Sequence, residues 1–184
     1  MIRRNGSAEE RMRKDQIIVA RNEEAVLMKR DGTVDRSVLP GRNVSLIGET
    51  PYLYRILKES QLCGPVGYGQ MTDACGGVWS CCAQYTCRLL SARRFAVRNG
   101  ERILEGIGDE KILRDLIRDV MKGCLAANIL KQNLCQRQDD GSSGDFWQII
   151  TDKIRDRLFE NGWELVSLEP EDLRRGTHED TCHR

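Results

Sequence analysis

The chain has 184 residues, 40% hydrophobic and 31% charged, which suits one globular domain with a real core. Its 29 basic and 28 acidic residues leave a net charge of +1, a balance that argues against a dedicated nucleic-acid binder. No apolar run approaches the roughly 20 residues needed to span a bilayer, and the opening MIRRNGSAEERMRKDQ lacks the apolar centre of a secretory signal. The expected address is therefore the cytoplasm, or the cytoplasmic face of a membrane reached through a partner.

Residues 1–15 read as a charged, flexible lead-in, because nothing apolar repeats there. From Gln16 the pattern turns strand-like, with Ile17, Ile18 and Val19, then Ala25 to Met28. Asp31-Gly32 is a tight-turn signal, since both central positions of a type I′ turn need positive φ. Val34, Val38 and Leu39 continue beyond it, Pro40-Gly41 punctuates, and Val44, Leu46 and Ile47 read as another strand. The opening third is expected to be a β-meander.

Tyr52 to Leu62 fits either a short helix or a strand. Cys63 to Cys82 is rich in Gly and Cys and nearly free of charge; interior Gly costs about 1 kcal/mol in a helix, so loop with one or two irregular strands is expected. Gln84–Leu90 and Arg93–Val97 alternate as strands, with Asn99-Gly100 as a turn.

Two helices dominate the second half. Ile112, Leu113, Leu116, Ile117, Val120, Met121, Cys124 and Leu125 make one stripe at helical spacing over about 109–132, with Asp109 as N-cap. A polar loop, residues 139–144, leads to a second helix from Asp145, where Gln148 sits at the offset of a capping box. Phe146, Ile149, Ile150, Ile154 and Leu158 form its apolar face, and Asn161-Gly162 stops it. Trp163, Leu165, Val166 and Leu168 read as a closing strand before Pro170, and residues 174–184 as a disordered polar tail.

This order resembles the SPFH (Band 7) domain of stomatins, prohibitins and flotillins, and is similar to its short bacterial virion-core-protein-like branch. Three segments carry the likeness: Glu24–Gly32 followed by Leu39–Val44, Phe95-Ala96-Val97 leading through Ile103-Leu104 into the Asp109 helix, and Ile150–Leu158 followed by Glu160–Leu168. The likeness covers roughly residues 16–170. The Cys63–Cys82 stretch is shorter and richer in cysteine than that branch, and the long coiled coil that follows the domain in stomatins and flotillins is not expected here. The resemblance implies a single α+β domain over residues 16–173, a twisted, mainly antiparallel sheet packed by two long helices. It also implies a non-enzymatic scaffold that binds other proteins or copies of itself, with peripheral membrane association.

The residue inventory points the same way on chemistry. The only two histidines, His178 and His183, both fall in the polar tail, where a Cys–His nucleophilic pair finds no rigid support. Cys75, Cys81, Cys82 and Cys87 invite a zinc test, with His178 and Cys182 as a second half-site, and a zinc-stabilised binding module is the alternative function. Their gaps of five, none and four residues give no C-x2-C knuckle, and buried thiols acting as small hydrophobes are the plainer expectation. Gly64–Gly69 lacks the Lys-Ser/Thr of a P-loop, and Asp139, Asp140 and Asp145 fit no EF-hand. No cofactor, small-molecule substrate or nucleic acid is expected. The interaction candidates are Trp163, as core packing or as an aromatic anchor, and the mixed-sign helix face of Arg114, Asp115, Arg118 and Asp119.

Overall fold

The computed structural model describes residues 4–5, 17–44, 52–72, 78–126 and 144–176. Among them the chain is mixed α+β, in the order β1 (Arg4–Asn5), β2 (Ile17–Ile18), β3 (Glu23–Met28), β4 (Val34–Val38), β5 (Asn43–Val44), β6 (Tyr52–Leu57), β7 (Gln61–Thr72), β8 (Val78–Leu89), α1 (Ala92–Leu104), α2 (Asp109–Ala126), α3 (Gly144–Glu160) and β9 (Trp163–Gly176). The polar loop expected at 139–143, the end of the first long helix beyond 126 and the tail beyond 176 lie outside the described residues. The chain forms two compact units: Met1–Leu62 with Arg88–Ile112 and Phe159–Glu164, and Cys63–Cys87 with Leu113–Leu158 and Leu165–Arg184.

The first unit is built on a sheet of order β1-β6-β3-β4. The β3–β4 hairpin forms at Asp31-Gly32, but the expected type I′ turn is corrected: only Gly32 has positive φ (+84°), its amide donates to the Lys29 carbonyl (3.2 Å), and Asp31 accepts from the Thr33 amide (2.9 Å) and hydroxyl (2.7 Å). The expected meander is corrected, because β6 returns to the opposite edge of β3, pairing Val26 with Tyr54 and Leu27 with Leu53. Tyr52–Leu57 is thus a strand, and Arg4 and Asn5, in the stretch read as a flexible lead-in, pair with Tyr54 and Leu53.

Central β3 is buried on both faces, from Ala25 to Met28, which explains why Ala25-Val26-Leu27-Met28 reads as a continuous apolar run rather than an alternation. Ala25 and Leu27 join Val19, Val44 and Leu53 in one cluster, with Val38 packed against it, and the short β2–β5 ladder contributes to that cluster. Residues opposite in an antiparallel pair share a face, so Val26 and Tyr54 look the other way, toward α1, where the Tyr54 and Phe95 rings lie 6.3 Å apart.

Helix α1 is the main correction. It occupies Arg93–Val97 and Asn99-Gly100, read as a strand and a turn, and it packs against β3, β4 and β6. Ser91 caps it by accepting from the Arg94 amide, and Glu24 of β3 accepts from the Ala92 amide at 2.8 Å. Ala92, Phe95, Ala96 and Ile103 form its buried stripe. The expected turn at Asn99 survives only as a kink (φ −128°, ψ 20°) inside the helix.

Two glycines let other backbone reach α1. A Cβ on Gly32 would lie 2.8 Å from the Glu101 nitrogen, and one on Gly100 would collide with the Gly32 carbonyl oxygen. Gly162 (φ +78°) follows α3 as the expected stop, and its carbonyl accepts from the amides of Leu90 (2.9 Å) and Ser91 (3.0 Å). Asp109 is corrected from N-cap to first helical residue, since the Ile112 amide donates to the Gly108 carbonyl; its buried carboxylate accepts from the Tyr54 hydroxyl at 2.7 Å.

The second unit holds most of a three-stranded sheet of order β7-β8-β9. The Gly-rich Gln61–Thr72 is a continuous strand rather than mainly loop, and its outer position in the sheet admits Pro65. Along β8, Trp79, Cys81, Ala83, Tyr85, Cys87 and Leu89 are buried while the intervening residues are exposed or half-buried. The closing strand does not stop before Pro170 but runs to Gly176, a placement Pro accepts because β9 is an outer strand. Leu113, Leu116, Ile117, Met121 and Cys124 form the buried stripe of α2, as the spacing predicts. On α3 the stripe is Trp147, Ile150, Ile154 and Leu158, with Ile149 half-buried. The Gln148 amide donates to Asp152 one turn on (3.1 Å) instead of closing a capping box.

Candidate interaction surface

Among the described residues, the cysteine candidates are not gathered into one site. Cys81 and Cys87 share the buried face of β8, six residues or about 20 Å apart along the strand, and Cys82 points to the opposite face. No group of three metal-capable side chains occurs among the described residues. Cys75, His178 and Cys182 lie outside them. Burial pushes the Cys81 thiol up to about 11 and Cys87 to about 12, which keeps both protonated at neutral pH and withdraws the thiolate that metals and electrophiles need. Burial raises Cys124 as well, against the opposing charge of Lys153.

Trp163 is core. It is 0% exposed and meets the Phe95 ring edge-on at 5.7 Å, so it offers no aromatic surface to a partner, and its role as an interface anchor is corrected. On α2, Arg118 and Asp119 are exposed and Arg114 and Asp115 half-buried. Arg118 lies 3.9 Å from Asp115 on the same helix, a solvated i,i+3 pair of small energetic weight.

A different surface emerges in the first unit. Arg94, Val97 and Arg98 of α1, with Phe159 and Glu160 at the end of α3, line an open groove of about 590 Å3. Val97 (57% exposed) and Phe159 (56%) supply its apolar floor. The Arg94 guanidinium lies 5.0 Å from the Phe159 ring centroid and donates to the Phe159 carbonyl at 3.2 Å, which holds its fork in place. Neither Arg94 nor Arg98 pairs with a carboxylate among the described residues.

The groove is firmly built. The Asn99 side-chain amide donates to the Phe95 carbonyl (3.0 Å) and to Asn161 Oδ1 (3.1 Å), and both asparagines are buried. The same Asn99 that kinks α1 therefore ties it to the residue that follows α3, and the Gly162 carbonyl holds the residues that precede α1. Arg88 and Glu164, at 2.6 Å, close the neighbouring strands. Reading Arg93–Val97 as a strand hid this surface, although Ser91 followed by apolar residues at 92, 95 and 96 is a helix-start signal.

Among the described residues no helix is long and apolar enough to cross a membrane. Compared with protein-family models and with curated proteins, the chain matches none of them.

Proposed function

We propose that this chain is a non-enzymatic, SPFH-like assembly module that binds other proteins or copies of itself, working where it meets a membrane surface through its partners. The observation that carries the reading is the groove at Arg94, Val97, Arg98 and Phe159. It exposes two large apolar side chains and two guanidiniums lacking a carboxylate partner among the described residues, on backbone fixed from both ends. Exposed apolar groups rimmed by charge mark protein contact surfaces, and Arg and aromatic residues dominate their energetics.

Two further features support it. The buried thiols of Cys81 and Cys87 are held neutral and far apart, a poor start for nucleophilic or metal chemistry. The Asp31-Gly32 hairpin, the two later helices and the closing strand from Trp163 stand in the order the resemblance expects, although Phe95–Val97 lies in a helix and not in the expected strand. Size-exclusion chromatography with light scattering over a wide concentration range tests the assembly half: mass rising with concentration supports it, and a strict 21.0 kDa monomer removes it.

A further inference from the structure

We propose that the groove is a docking site for an acidic polypeptide segment of a partner protein, one that places two carboxylates about a helical turn apart around an apolar side chain. This rests on the protein-binding reading above and names the chemistry of the partner.

Charge carries the choice. Helix α1 bears Arg93, Arg94, Arg98 and Arg102 against the single acid Glu101, and has no acidic residue in its first turn. Arg93 and Arg94 sit at the positive end of the helix macrodipole, where cations are unfavourable and anions favoured. The Glu24 carboxylate and the Ser91 hydroxyl already meet the Ala92 and Arg94 amides at that end, so an arriving carboxylate gains the guanidiniums themselves. Arg94 and Arg98 lie one turn apart, about 6 Å along the axis, so each can take one carboxylate in a forked, bidentate pair. Between them Val97 and Phe159 receive an apolar side chain, whose arrival excludes water from the ion pairs.

A lipid surface fits less well. An interfacial helix needs a broad apolar face to enter the headgroup layer, but α1 spends Ala92, Phe95, Ala96 and Ile103 on its own core and leaves only Val97 outward. Glu160 on the groove's rim also opposes a planar anionic surface, and it obliges an acidic segment to direct its carboxylates to Arg94 and Arg98.

The test is fluorescence anisotropy of a labelled peptide, Gly-Glu-Glu-Leu-Phe-Glu-Glu-Gly, titrated with the full chain. The proposal predicts saturable binding that weakens with salt, falls at least tenfold in R94E/R98E, and is lost for the peptide with glutamine in place of glutamate. The double reversal K111E/K122E on α2 makes the same charge change elsewhere and should leave binding within twofold; circular dichroism confirms that both variants fold. Equal binding of the glutamine peptide, or indifference to R94E/R98E, overturns the proposal. So does Arg94- and Arg98-dependent binding of phosphatidylserine vesicles without peptide binding, or self-association lost in R94E/R98E that the peptide does not compete. If the peptide fails while concentration-dependent assembly persists in both proteins, the groove proposal falls and the scaffold reading stands. A strict monomer that binds the peptide through Arg94 and Arg98 removes self-assembly and keeps the groove.

Discussion

Gly32, at the tip of the β3–β4 hairpin, and Gly100, inside α1, meet backbone to backbone with no room for a side chain on either. The contact places α1 on the sheet and thereby sets which face it turns outward, the face that carries Arg94, Val97 and Arg98.

Gly100→Ala should therefore destabilise the protein by about 3 kcal/mol or more, since hairpin and helix must separate to admit a methyl group. Gly41→Ala supplies the control. Gly41 also has positive φ (+74°), yet nothing lies within 4 Å of a Cβ there, so only the local conformational penalty of about 1–2 kcal/mol applies. Urea unfolding of both variants reads the difference.

The buried pair Asn99–Asn161 predicts strong coupling. Either alanine substitution removes the bond between the two buried amides, at about 1–3 kcal/mol. The double variant should lose clearly less than the sum, and a double-mutant cycle measures the shortfall.

These contacts also mark what the sequence could and could not reveal. The Asp31-Gly32 hairpin, the α2 stripe and the Asn161-Gly162 stop are legible because local chemistry decides them. Helix α1 is not, because Asn99-Gly100 carries a turn signal that tertiary contacts override: the Asn99 amide binds the Phe95 carbonyl one turn back, and the bare Gly100 is needed by Gly32. The groove was hidden for the same reason, since its walls come from residues 94–98 and 159–160, far apart in sequence and joined through Arg94–Phe159, Asn99–Asn161 and Gly162. Pro170 likewise reads as an end to β9 until the strand proves to be an outer one.

Thiol chemistry gives a third prediction. Exposed Cys63 should react with a disulfide reagent at pH 8 well before buried Cys81 and Cys87. Because burial raises these two thiols above their ordinary value of 9.0, the folded state favours their protonated forms. Their contribution to stability is full below pH 9 and is lost as pH rises toward 11 and 12. Unfolding midpoints across that range should fall, and Cys87→Ala should flatten part of the fall.

Trp163→Ala separates core from surface. Removing this fully buried ring from Phe95 should cost about 3–5 kcal/mol. Arg98→Ala, at an exposed position, should shift stability by less than about 0.5 kcal/mol. Thermal unfolding of the two variants checks both.

The most direct test of the account is the proton contact map around residue 100 in solution. Nuclear Overhauser contacts between the Gly32 Hα protons and the Gly100 and Glu101 amides, with helical chemical shifts from 92 to 98, are the predicted result. Extended shifts over 93–97 with no contact to Gly32 would mean that the segment is a strand, and the groove with its outward arginines would not exist.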